Sequence, residues 1–141
     1  MIAAAFAPAH AGPSAAPSPY SMACQSCHKP DGSGVRGVFP RISSRLGAAA
    51  QTAEGRKWLI ATVLFGQSGA IVVDGKPIRS AMPAFARLSD SPVAETLNWL
   101  LAGAGKPFNA AEVAAMRAQP GMSAAKVGQM RAGLAKAGTI K

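Results

Sequence analysis

The stretch Cys24-Gln-Ser-Cys27-His28 constrains this chain more than any other. It holds the only two cysteines and one of the two histidines among 141 residues. Four occupants are open to such a cluster: a disulfide, a zinc ion, a redox dithiol or a covalently attached haem. A Cys24–Cys27 disulfide would close so small a loop that it would stabilise little. Zinc needs four ligands, which would draw in His10 from an Ala/Pro-rich lead. A thioredoxin-like dithiol belongs to an α/β pattern, and no βαβ unit is visible. C-x-x-C-H is the attachment signature of c-type haem. Two thiols bond to the haem edge, and the histidine beside them stands under the iron as proximal ligand.

Composition agrees with a cofactor in the core. Hydrophobic residues make up 49% but aromatics only 6%, with alanine supplying much of the difference. Such a chain buries little area per residue, so a large bound group would complete its interior.

A histidine-bound iron that passes electrons without binding substrate needs a sixth ligand. Methionine thioether is a common one and raises the potential. Of six methionines, Met1 lies in the lead, Met22 is crowded against the motif, and Met116, Met122 and Met130 fall in a C-terminal helical segment. Met82 remains, in Arg79-Ser-Ala-Met-Pro-Ala-Phe85, where Pro83 biases it to an extended conformation. In isolation it would be read as packing. Beside C-x-x-C-H it is read as the second axial ligand. The alternative, His10, would give bis-His ligation.

Residues 1–17 read as a flexible lead or signal remnant. A short helix over 18–27 delivers the motif, and 29–40 is a Gly/Pro loop. The sequence predicts a helix over TAEGRKWLIATVLF, ended by Gly66, with Trp58, Thr62 and Phe65 on one side. Asp74-Gly75 between apolar residues predicts a hairpin over 70–79. A further helix is predicted from Ser91 as N-cap with Pro92 at its first position, ending before Gly103. Two more follow, the first with an Asn109/Glu112 capping box and the second capped by Ser123. The longest apolar runs fall far below the roughly 20 residues of a membrane span.

These residues together resemble the class I c-type cytochromes. The likeness covers about 18–104 and rests on CQSCH, DGSG, GVFP, AMPAF and a last core helix carrying Trp99. It implies a mostly α cytochrome c fold, a small helical bundle around one covalent haem c with a short β-hairpin before the methionine loop. It also implies that the Pro40 carbonyl supports the proximal histidine, and that Trp58, Phe65 and Trp99 belong to the cofactor pocket. One departure is Lys29, where glycine commonly follows the histidine. The division expected is a lead at 1–17, a cytochrome domain at 18–105 and a basic helical extension at 106–141.

The finer pattern from Trp58 to Asp90 is similar to monohaem subunits of bacterial periplasmic dehydrogenases. That implies export to the periplasm and one-electron transfer rather than catalysis. The net charge of +9 suits a donor dehydrogenase or acceptor oxidase with an acidic docking surface. Nucleic acid is the weaker partner, because the basic residues are scattered and no stacking aromatics accompany them. Six of the basic residues and one acidic residue lie in 106–141. The extension is therefore expected to dock the partner, and its removal to spare the haem spectrum. One of Arg36, Arg41 and Arg45 is a candidate for a haem propionate. The rival readings are a haem enzyme or gas sensor with an open iron site, and a non-haem module holding a metal on Cys24 and Cys27.

Overall fold

A computed structural model describes residues 15–141. The expected lead up to residue 14, with His10, lies outside the described residues. The order is α1 (Ser18–Ala23), α2 (Gln25–His28), α3 (Gly47–Ala50), α4 (Ala53–Phe65), β1 (Ile71–Val73), β2 (Lys76–Ile78), α5 (Asp90–Leu100), α6 (Ala110–Arg117) and α7 (Ala124–Lys136). The fold is mostly helical with one small hairpin, as the sequence predicts. β1 and β2 are antiparallel, with Val73 opposite Lys76 across the Asp74-Gly75 turn.

The centre of the molecule is α4. Thr52 caps it, its hydroxyl accepting from the Gly55 N–H at 2.9 Å. Gly66, at φ 73°, ends it. Trp58, Leu59, Ile60, Ala61, Val63 and Leu64 are all buried, so the helix is covered on most of its circumference. It packs against α3, α5, α6 and α7. At the other end of the bundle α1 meets α5, and the rings of Tyr20 and Trp99 lie 4.6 Å apart.

The helix expected from Ser91 begins two residues earlier, with Ser89 as N-cap. Pro92 then falls at the third helical position. That placement costs no hydrogen bond, because the N–H groups of the first turn have no intrahelical acceptor.

The C-terminal segment packs differently from a free extension. Val113, Met116, Val127, Leu134 and Ile140 are buried in the same cluster as Trp58, Leu64 and Leu97. The Asn109 cap is present, its side chain accepting from the Glu112 N–H at 2.9 Å. Glu112 does not close the box, because its carboxylate is taken by Arg56 of α4 at 2.7 Å through both Nε and Nη2. Arg56 is itself 5% exposed, donates to the carbonyls of Ala50, Lys106 and Pro107, and lies 3.9 Å over the Phe108 ring. One guanidinium thus ties α4 to the start of the C-terminal segment.

Candidate functional site

Cys24, Cys27 and His28 reach a common cavity because two short helices meet at the motif. The Cys24 N–H closes α1 on the Tyr20 carbonyl, and the Lys29 N–H closes α2 on that of Gln25. Tyr20, itself fully buried, clamps the junction, its hydroxyl donating to the Lys29 carbonyl at 2.6 Å. Lys29 has φ 69° and ψ 162°, a region close to glycine-only. That is the physical reason a glycine suits the place, and the lysine there carries backbone strain.

The cavity encloses about 1060 Å³ free of protein atoms, counting its open mouth. Cys24, Cys27, His28, Pro40, Trp58 and Met82 all line it. Phe65 and Trp99, expected in the pocket, do not. Phe65 packs half-buried on the core, and Trp99 sits against Tyr20. The sequence put Phe65 on one helical side with Trp58, but Phe65 is the last residue of α4, where the chain turns away at Gly66.

The imidazole of His28 is 7% exposed, and its Nδ1–H donates to the Pro40 carbonyl at 2.9 Å. That bond fixes the ring and leaves Nε2 for a metal. Burial pushes the imidazole pKa down and so favours the neutral ligating form, outweighing the opposite pull of the Pro40 carbonyl. Pro40 comes this close because Gly34 has no side chain. A Cβ there would lie 2.4 Å from the Phe39 oxygen and 2.6 Å from that of Pro40. Both cysteines are free thiols. Burial, then the neighbouring Cys27, pushes Cys24 up to about 11, so it is held as a thiol rather than a thiolate.

Met82 enters through a pair of backbone bonds. Its N–H donates to the Gln67 carbonyl at 2.9 Å, and the Gln67 N–H donates to the Met82 carbonyl at 3.1 Å. Gln67 is anchored in turn, accepting from Trp58 Nε1 at 2.8 Å. No other methionine of the described residues lines the cavity. Met22 is 85% exposed, Met116 is in the core, and Met122 and Met130 pack partly buried against it.

Two cations share the cavity, Arg45 and Arg131. Neither pairs with an Asp or Glu side chain among the described residues. Arg45 is held by the main-chain oxygen of Lys141, and Arg131 donates to the Val72 carbonyl at a long 3.4 Å. Burial pushes both guanidinium pKa values down, and at Arg45 the nearby charge of Arg131 adds to the effect. Arg41, by contrast, is committed to Asp74 at 2.8 Å, and Arg36 to the Asp74 carbonyl. Sequence reasoning missed Arg131 as a cavity residue, since it lies far along the chain on a helix with no motif around it. It also missed Gln67, and the Thr96 hydroxyl, a buried cavity-lining group without a hydrogen-bond partner.

This set fits a haem with thioether links. Two free thiols, an imidazole nitrogen and a thioether reach one largely apolar space, with two cations to meet two carboxylates. Among the described residues, no group of three or more His, Cys, Asp or Glu side chains is placed to hold a bare metal ion.

No family model matches the chain. Two curated relatives do, both named cytochrome c-552 and both from Thermus thermophilus. Each is 34% identical to this chain over a stretch covering 68% of it, and 79% and 70% of the respective relative. Taken with a mostly helical fold around a cavity that the C-x-x-C-H motif enters, this similarity shows that the chain belongs to the monohaem class I c-type cytochromes, electron-transfer proteins with a covalently bound haem c.

Proposed function

We propose that Cys24 and Cys27 carry the thioether links, that His28 Nε2 and the Met82 sulfur are the two axial ligands, and that electrons pass to and from a periplasmic dehydrogenase or its acceptor. The observation behind this reading is the single cavity lined by all four side chains. Haem c supplies the one-electron couple. The chain's own residues do the rest. Pro40 orients the imidazole, the Gln67 bridge holds the methionine loop, and the apolar wall excludes water. The intact chain should exceed its polypeptide mass by one haem, and Cys24→Ala/Cys27→Ala should lose the added mass under denaturing conditions. An intact chain at the bare polypeptide mass would end this reading in favour of a non-haem module.

Arg45 and Arg131 are proposed partners for the haem carboxylates, replacing Arg36 and Arg41 as candidates because those two are already engaged with Asp74. A buried cation beside the cofactor disfavours further positive charge on the iron. At an effective dielectric near 20, removing one unit charge roughly 8–16 Å away is worth about 1–2 kcal/mol. Arg131→Gln should therefore lower the midpoint potential by roughly 40–90 mV, since about 59 mV corresponds to tenfold for one electron. An unchanged potential in protein film voltammetry would remove Arg131 from this role.

Among the described residues no helix is long and apolar enough to cross a membrane. Export to the periplasm and an acidic partner surface are proposed from the attachment motif and the +9 charge.

A further inference from the structure

The Met82 segment has little shelter of its own. Ala81, Pro83 and Ala84 are exposed; Ser80 and the Phe85 N–H tie the loop at its flanks to the Val38 and Val63 carbonyls, and the backbone bridge to Gln67 holds Met82 itself. The stability of that bridge therefore depends on what holds residues 67 and 68. Inside, the Trp58 indole holds the Gln67 side chain. Outside, α7 lies directly against Ser68. The Ser68 N–H donates to the Ala124 carbonyl at 3.0 Å, in the first turn of the helix. One turn further on, Gly128 meets the Ser68 carbonyl so closely that a Cβ would sit 2.1 Å from its oxygen. That oxygen is backbone and cannot rotate aside. Glycine is a poor residue for a helix interior, yet position 128 lies well within α7. Gly133 on the same helix has nothing within 4 Å of its would-be Cβ.

We infer that α7 is a positioning element for Met82. Its Ala124/Gly128 face presses the 67–68 segment inward, and that segment carries the methionine loop through the two-way backbone bridge. The C-terminal segment thereby sets how much of the time the sixth position is closed. This rests on the reading of Met82 as axial ligand. Thermodynamically, an exogenous ligand that competes with Met82 binds only the fraction of molecules in which the sixth position is open. Loosening α7 against Ser68 raises that fraction and tightens apparent binding in proportion.

The test is an imidazole titration of ferric holoprotein, followed in every variant by the shift of the haem Soret band and, where Met82 is kept, by loss of the near-infrared sulfur-to-iron band, with far-UV circular dichroism on the same samples. Gly128→Ala should lower the half-saturating imidazole concentration about tenfold or more, with helix content retained. Gly133→Ala, which adds the same methyl to the same helix in open space, should stay within about twofold of the parent. If the two alanine variants behave alike, α7 does not position the methionine. Should Gly128→Ala fail to accumulate as holoprotein, Ser68→Pro decides by the same criterion. It deletes the N–H that Ala124 accepts, and leaves Gln67 in the extended conformation a following proline favours. Met82→Ala is titrated in parallel. If it binds imidazole no better than the parent, the ligand reading itself has failed. If it binds far better while Gly128→Ala does not, only the role of α7 is lost.

Discussion

Removing residues 106–141 should leave no stable holoprotein. Six buried apolar side chains go with that segment: Phe108, Val113, Met116, Val127, Leu134 and Ile140. At roughly 1.5–3 kcal/mol each, their burial contributes about 9–18 kcal/mol gross. The whole stability of a domain is about 5–15 kcal/mol. The ordering entropy of the removed residues offsets part of the gross figure, but a second loss adds to it. Arg56 would remain in α4 without Glu112 and without the Lys106 and Pro107 carbonyls that surround it. The truncated chain should show no cooperative melt and should be cleaved rapidly by protease. A truncated protein that melts within a few degrees of the full chain, with its visible spectrum intact, would refute this. The expectation that removing the segment spares the haem spectrum is thus replaced, because the segment is part of the core. Its exposed lysines, Lys126 and Lys136 among them, can still meet a partner, and their reversal to glutamate probes docking without emptying the core.

The elements with strong local signals were legible in the chain itself. α4, the hairpin at Asp74-Gly75 and the caps at Asn109 and Ser123 are each set by residues within a few positions of one another. Cys24, Cys27 and His28 are legible for the same reason, as their chemistry is written in adjacent letters. What sequence could not show is which face each C-terminal helix turns inward. The alanine-rich patterns of α6 and α7 leave the charged residues more visible than Val113, Val127 and Leu134, so the segment looked like a basic appendage. Arg131 was counted with that charge although it is 7% exposed and lines the cavity. The Glu112 carboxylate belonged to a capping box by spacing, but a buried guanidinium 56 positions away binds it more strongly than a backbone N–H would. Long-range competition of this kind has no local signature.

Met82→Ala should change the protein's redox behaviour more than any other single substitution away from the attachment motif. The variant keeps both cysteines, His28 and the Pro40 contact, so covalent haem should persist. It loses the one methionine of the described residues that reaches the cavity. Met130 cannot substitute without moving α7, which is packed against α4, Met122 is held against the core in the connection before α7, and Met116 is 6% exposed in the core. Gln67, whose backbone bridges to Met82, also lines the cavity, but its amide oxygen is engaged by Trp58. The sixth position should therefore pass to water or to an added ligand. Thioether ligation favours the reduced iron and raises the potential. Axial ligands as a class move haem potentials over about 0.8 V, so replacing sulfur by water should lower the midpoint by on the order of 0.1 V or more. The near-infrared band of the ferric parent should vanish, and carbon monoxide should bind the reduced variant readily while the parent resists it. If the band survives Met82→Ala unchanged, another side chain ligates the iron. If the parent already binds carbon monoxide at low concentration, the sixth position is open in the native protein and the haem serves ligand binding rather than electron transfer alone.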